Sequence, residues 1–362
     1  MNNMRDMRAD DTPASAFTFT GTWREFLPIA LTNLLLTVVT LGIYRFWAKA
    51  RERRYLWSRT HFIDDHLEWT GTGKEMFIGF LIVMLVLLPA FLGLQLVLQA
   101  MILRGETGAV MLLSLAFYAG IFYMIGVAQF RALRYRLSRT YWHGIRGGCD
   151  DGGWNYGLQY LWKTIVGFLV LGFLVPWSMT SLWNDRWNKM SFGQHRFEAG
   201  ANTDGLFGRW LLVYLVPVVF GVIGFSALMS AVGSMNEPGG GAGSMATFVF
   251  AVLGFYVVFL LVSLGYYAAF YRKVVDTTSI AGLEFQFTAR TMDWLKLILG
   301  SIALVIVTLG FGMLFVGYRN WSFVVRHMEA VGVVDLDTLL QSQTRATGDA
   351  EGLADAFDIG AI

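Results

Sequence analysis

The strongest constraint on this chain is a set of long stretches almost free of charge. Seven apolar segments stand out, at 27–47, 76–103, 110–130, 160–183, 210–232, 245–271 and 294–317. Each is long enough to cross roughly 30 Å of hydrocarbon at about 1.5 Å per residue. Of 362 residues, 55% are hydrophobic and only 15% charged, against a charged share of about 25% in soluble domains. A soluble enzyme is excluded. So is a collagen-like or disordered chain, because 40 glycines stand with only 6 prolines and keep no three-residue period. The expected fold is an all-α integral membrane protein, a multi-pass helical bundle with internal repeats and small β-hairpins on its cytoplasmic face.

Charge orients the segments. The turn Arg104-Gly105-Glu106-Thr107-Gly108 joins the second and third, and residues 234–241, rich in Gly, join the fifth and sixth. Both read as tips of transmembrane hairpins. Basic residues gather at the opposite ends, including Lys49, Arg51, Arg53, Arg54 and Arg59, then Arg131, Arg134, Arg136 and Arg139. By the positive-inside bias those ends, and the C-terminus, are cytoplasmic. The segment at 160–183 then has basic loops at both ends, as though it returned to its own side. Treating the first, fourth and seventh segments as re-entrant leaves Arg104 as the one loop cation outside. Breaks are available at Gly42, at Gly172 with Pro176, and at Gly310.

Repetition supports treating those three as equivalents. Thr40-Leu41-Gly42 recurs as Thr308-Leu309-Gly310, with Phe17 matching Phe285, Glu25 matching Asp293 and Arg51 matching Arg319, all without a gap. A weaker gapless match pairs Gly42 with Gly172 and Trp47 with Trp177. The expected organisation is a polar tail at 1–16, repeat one at 17–146, repeat two at 147–284, a partial third at 285–335, and a polar tail at 336–362. Met1 to Ala16 lacks the apolar core of a signal peptide, so that segment is expected to be retained.

Candidate sites follow. Arg51, Arg53 and Arg54 with Trp47 and Trp177 suit a helix lying at anionic lipid headgroups. Glu25, Asn155 and Asp293 occupy equivalent places before each broken element, either capping a helix or ringing the mouth of a pathway. The run His61-Phe62-Ile63-Asp64-Asp65-His66-Leu67-Glu68 offers metal-type ligands, but its counterpart at 191–198 keeps only Glu198 and so argues for a polar turn. Gly147-Gly148-Cys149-Asp150-Asp151-Gly152-Gly153 lacks the Lys and Ser/Thr of a phosphate loop and reads as a linker. No metal and no cofactor are expected. Cys149, the one cysteine, forms no internal disulfide. Lys163 and Lys296 lie close enough to their segment ends to snorkel to the interface. A net charge of +2 gives no case for nucleic acid. Ser226 with Ser230 and Ala227 with Ala231 are small-residue faces compatible with a homo-oligomer.

Through residues 40–51 (TLGIYRFWAKAR), Arg54-Tyr55, Thr60-His61-Phe62, Trp69-Thr70-Gly71-Thr72-Gly73 and Pro176-Trp177, the chain resembles the YjgN family of bacterial inner-membrane proteins. The resemblance covers about Phe17 to Glu329. It departs at Phe46, where the family has a Pro, and at Ser181, Trp183 and Asn184, which replace the basic positions of repeat one. What it implies is a bacterial inner-membrane location; it supplies no activity.

The leading functional expectation is a passive channel or carrier for a small solute or lipid, because Gly-broken repeats expose backbone groups in transporters. The alternative is a non-catalytic scaffold or anionic-lipid-interacting protein. Catalysis is disfavoured, since no nucleophile–base pair lies beside a span.

Overall fold

The computed structural model describes residues 15–233, 240–332 and 340–345; the expected outward turn at 234–241 lies largely outside them. Strand β1 (Phe17–Phe19) leads into helix α1 (Trp23–Val39), which turns back as α2 (Arg45–Ser58) into β2 (Thr60–Phe62). A tight turn leads to β3 (Asp65–His66) and β4 (Glu68–Trp69). The long helices α3 (Gly73–Leu103) and α4 (Thr107–Ser138) follow, then β5 (Thr140–Trp142) and β6 (Ile145–Gly148). Next come α5 (Trp154–Leu169), α6 (Val175–Trp187), β7 (Ser191–Phe192) and β8 (His195–Ala199). Helices α7 (Phe207–Gly233) and α8 (Gly240–Asp276) lead to β9 (Thr278–Ile280) and β10 (Leu283–Phe287). Helix α9 (Thr291–Val307), a 3-10 helix (Phe311–Phe315), α10 (Val316–His327) and β11 (Met328–Val331) complete the described order.

The strands alternate between two kinds of connection. On one rim they are joined by tight turns, with positive φ at Ile63, at His143 and Gly144, at Gly193, and at Ala281 and Gly282. On the other rim each pair is joined by a whole helical hairpin. Every ladder is antiparallel: Phe19 opposes Thr60, Trp69 opposes Thr140, Gly148 opposes Ser191, and Glu198 opposes Ser279. Pairing runs β1-β2-β3 and then β4 through β11. Between β3 and β4, Leu67 N–H donates to the Thr60 carbonyl at 2.9 Å, keeping one band continuous.

The band curls until its ends meet. Strand β1 lies against β11, Ser15 Oγ donates to the Glu329 carboxylate at 2.9 Å, and the Phe17 and Phe285 rings are 6.4 Å apart. Indole donors tie hairpin to hairpin around the circle: Trp57 to Thr140 Oγ1 at 2.9 Å, Trp183 to Thr278 Oγ1 at 3.2 Å, and Trp321 to Thr60 Oγ1 at 2.9 Å. The last of these closes the fifth hairpin onto the first. Inward positions are aromatic; Phe62 packs 4.5 Å from Phe17 and 4.9 Å from Trp142. Burial of each such ring contributes roughly 1.5–3 kcal/mol.

The all-α expectation is therefore corrected, since among the described residues eleven strands form a curled band from which the helical hairpins hang. The strands are two to five residues long, and five of the ladders join strands an entire helical hairpin apart in sequence. Alternation within so few residues cannot reveal such partners.

Among the described residues four helices are long and apolar enough to span a membrane, α3, α4, α7 and α8, and their apolar windows are only 0–11% buried. The other three hairpins are each broken in the middle. Leu41, Leu171 and Leu309 adopt φ near +50°, and the glycines that follow, Gly42, Gly172 and Gly310, lie at +92°, +82° and +98°. At the first and third breaks the chain is closed the same way: Gly42 N–H donates to Thr37 O and Gly310 N–H to Val305 O, both at 2.8 Å. Thr40 Oγ1 accepts from Tyr44 N–H and Thr308 Oγ1 from Gly312 N–H. Pro176 sits at the start of α6, where its missing N–H costs nothing. All three tips expose bare hydrocarbon, with Leu41 95%, Leu171 71% and Leu309 91% exposed.

Gly42→Ala is expected to lower stability by about 1–2 kcal/mol from backbone strain alone, because no atom lies within 4 Å of the added methyl group. Gly93→Ala, in the regular interior of α3 and equally open, is expected to cost nothing. Thermal unfolding in detergent should separate the two, and equal midpoints would contradict this account of the tip.

Candidate functional site

Each helical hairpin must satisfy its ring-side backbone groups, and two of them use one solution. Thr22 caps α1, its Oγ1 accepting from Glu25 N–H at 3.4 Å, while the Glu25 carboxylate meets Tyr55 Oη at 3.2 Å and Arg59 at 3.2 Å. Thr72 caps α3 in the same manner, with Glu75 held by Tyr135 Oη at 3.0 Å and Arg139 at 3.1 Å. Just before each cap, Thr20 N–H donates to Arg59 O and Thr70 N–H to Arg139 O, at 2.9 and 3.0 Å. Burial, and next the Glu25 hydrogen bond, push the Tyr55 phenol up to about 12, so it stays a neutral donor at neutral pH.

These matching caps provide a common origin for depth. Counted from Thr22 and Thr72, Leu41 stands as far out as Phe91, near the middle of the exposed apolar run 81–103 of α3. That run is about 33 Å long at 1.5 Å per residue, one hydrocarbon thickness. The same count sets Asn33 level with Val83, at the ring-side edge of the run.

A cleft of about 470 Å³, lined by both apolar and polar side chains, opens between α1, α2, the 3-10 helix and α10 and includes the level of Asn33. Arg45 and Lys49 stand one turn apart on α2 and line it, together with Glu52, Asn33 and Asn320. Lys49 Nζ lies 3.8 Å from Glu52. Asn33 Nδ2 donates to the Ala48 carbonyl at 3.1 Å, but its buried Oδ1 accepts nothing among the described residues. The far wall is close because Gly317 has no side chain; a Cβ there would collide with Glu52 Oε1. The cleft thus presents two cations, one carboxylate and one orphan acceptor spread along two turns of α2, with Lys49 beside the level of Asn33 and Arg45 a turn nearer the tip.

The place of Asn33 in the other broken hairpins is taken by Lys163 and Ser301. Buried Lys163 bonds Ser181 Oγ at 2.6 Å and ion-pairs with Asp185, 35% exposed; Ser301 Oγ accepts from Arg319 Nε at 3.2 Å. Lys163 therefore does not snorkel to lipid. It reaches across to the returning helix, and three different chemistries hold the two arms together at one point.

The other sequence candidates separate. Arg54 is exposed, and Arg51 donates to Tyr44 Oη at 3.2 Å. Arg53 is buried, its guanidinium 5.0 Å from the Trp69 ring, so it cannot face headgroups as expected. Trp47 is half-buried against Phe77 at 5.4 Å, and Trp177 against Trp162 at 5.7 Å. Glu25 and Asp293 act within their own hairpins, the latter accepting from Arg290 N–H at 2.9 Å, while Asn155 is exposed in the first turn of α5. No hydrogen bond or ion pair among the described residues joins the three. Around the β2–β3 turn, His143 Nε2 pairs with Asp64 at 2.9 Å, and the His66 backbone N–H holds Asp65 below the usual carboxylate range. Among the described residues no group of three or more His, Cys, Asp or Glu could hold a metal. Burial raises the Cys149 thiol pKa.

Asp185→Asn strands a buried ammonium and is expected to cost on the order of 2–3 kcal/mol. Lys163→Met is expected to cost less, and the double substitution less than the sum of the two. Detergent unfolding midpoints of the four proteins check this, and strict additivity would contradict it.

The comparisons with known proteins fit a membrane chain of this size. Inner membrane protein YjgN of Salmonella typhimurium is 24% identical over 390 aligned positions, covering 94% of this chain and 93% of that protein. The protein of the same name in Escherichia coli O157:H7 is 26% identical over 259 positions, covering 61% and 62% respectively. No solved structure matches the chain. The family described as "Bacterial protein of unknown function (DUF898)" matches residues 14–356, and the chain belongs to it.

Proposed function

We propose that this is a non-catalytic protein of the bacterial inner membrane that binds phospholipid of the cytoplasmic leaflet. In this reading the strand band lies in the cytoplasm, α3–α4 and α7–α8 span, and the three broken hairpins dip to about mid-bilayer and return. The five hairpins are copies of one unit, three shortened and two long. The basic residues at the band side favour the cytoplasmic placement, and the relatives' names favour the inner membrane.

The observation that carries the reading is the cleft between the first and fifth hairpins. It combines Lys49, beside the level of Asn33 at the edge of the hydrocarbon where a phosphodiester resides, with Arg45 a turn nearer the tip, whose side chain is long enough to snorkel toward that level. The half-depth tips serve the same purpose. Exposed leucines at φ near +50° have no packing role within the chain but would seat each hairpin among acyl chains.

A second reading, the channel or carrier, draws on the broken helices. Against it, the spans are nearly unburied, so a route across the bilayer would have to be assembled from several chains. That arrangement suits the small-residue face of α7, where Ala227 is buried but Ser226 and Ser230 are exposed.

Native mass spectrometry of the full chain, released gently from phospholipid nanodiscs, tests the proposal. At least one phospholipid should persist on the parent protein. Arg45→Gln with Lys49→Gln should lower its occupancy about tenfold or more, as expected for losing charge-assisted contacts. A parent that retains no phospholipid, or a double variant that retains it equally well, would contradict the proposal.

A further inference from the structure

We propose that two copies of this chain associate in the membrane through α3, the Gln95 and Gln99 amides hydrogen-bonding across a parallel twofold interface. The inference rests on the placement of α3 across the bilayer in the preceding reading, and not on lipid binding. Gln95 and Gln99 stand one turn apart on α3 and so share a face. Both lie within the apolar run 81–103, Gln95 just beyond its midpoint at Leu92. From Gln95 to the far edge of the run is about 12 Å at 1.5 Å per residue, farther than a glutamine side chain can snorkel. Gln95 is half-buried and Gln99 exposed. Neither amide has a hydrogen-bond partner among the described residues, and Ser114, at the matching level of α4, bonds neither of them.

An unpaired amide in hydrocarbon is strongly unfavourable, and membrane helices use such groups to hold one another. The hairpin itself does not cover these two. Helix α3 packs much less closely against α4 than α7 does against α8; the Phe91 and Phe117 rings meet at 6.1 Å, while a Cβ at Gly93 of α3 or at Gly120 of α4 would find no atom within 4 Å. Insertion then limits what can sit opposite. Copies of one chain enter the bilayer in the same orientation, so a closed pair has its twofold axis along the membrane normal, and a residue at that axis meets its own counterpart at the same depth. A polar side chain there must complement itself. A glutamine amide does, because it carries both N–H donors and an acceptor oxygen, whereas a carboxylate or an ammonium would face a like charge. Leu88 and Ile102, two turns of α3 to either side of Gln95 on its face, are 48% and 59% exposed, so the surface around the amides is open to a partner helix. An acyl chain would cover those side chains and offer the amides nothing.

The test uses the full chain with Cys149→Ser and one fluorophore at Gln194→Cys, reconstituted in liposomes at a high lipid-to-protein ratio. Single-molecule photobleaching should count two copies per particle. Gln95→Leu with Gln99→Leu, which replaces the amides by hydrocarbon of similar size, should weaken the association about tenfold or more. In the Cys149→Ser background without the fluorophore, a disulfide should link two copies from Ile102→Cys but not from Val97→Cys, which lies on the opposite face of α3. A count other than two, undiminished pairing in the leucine variant, or equal cross-linking from Val97→Cys and Ile102→Cys would overturn the interface. Impermeant maleimide reacting with Glu106→Cys and Gln194→Cys from the same side of the bilayer would overturn the spanning placement of α3, and the interface with it.

Discussion

The structure depends on backbone pairing between strands that are far apart in sequence. Each strand is too short to hold a partner alone, and along the band tight turns alternate with helical hairpins that leave and return at the same rim. Helices satisfy their own amides inside hydrocarbon, whereas open strands cannot. The chain accordingly keeps its strands together in one band and sends only helices away from it. Ladder register then fixes where every hairpin starts. The Trp57–Thr140, Trp183–Thr278 and Trp321–Thr60 bonds lock neighbouring hairpins at that level.

From this common origin, hairpin length decides depth. Helices of 31 and 32 residues in the second hairpin are longer than one hydrocarbon thickness, whereas the 17-residue α1 and α9 are about half as long. What stops the short ones is a local device, a leucine and a glycine in succession at positive φ, with a threonine hydroxyl bridging the turn at two of the three tips. A polar contact then ties the two arms together. Because that contact is Asn33–Ala48 in one hairpin, Lys163–Asp185 in another and Ser301–Arg319 in the third, the position is constrained while the chemistry is not. The first hairpin alone leaves an acceptor unspent there, beside Arg45, Lys49 and Glu52, and this difference makes its cleft the candidate site.

The apolar segments and the three breaks at Gly42, Gly172 and Gly310 are legible in the sequence, because a charge-free run and a Thr-Leu-Gly or Gly-to-Pro interruption are local signals. The band is not, since strands such as Ser191–Phe192 carry two residues of pattern and pair across whole hairpins. Arg53 shows a related limit: a basic residue in a cationic run suggests a headgroup contact, yet helical phase turns this one inward onto Trp69. The shared cap was within reach. Phe19-Thr20-Gly21-Thr22 with Glu25 and Trp69-Thr70-Gly71-Thr72 with Glu75 are the same capping motif, and they relate a broken hairpin to a spanning one, which apolar periodicity alone passes over.

In the proposed arrangement the broken hairpins enter one leaflet and turn back near the bilayer centre. Nitroxide labels at Leu41, Leu171 and Leu309, placed singly in a Cys149→Ser background and reconstituted in liposomes, report depth through the ratio of oxygen to polar-relaxant accessibility. All three should match a label at Leu92, beside the midpoint of the exposed run of α3, with labels at Gln194 and Glu106 in water on opposite sides. Tip labels accessible to the polar relaxant would mean that these hairpins lie on the surface or cross completely, and would contradict the account.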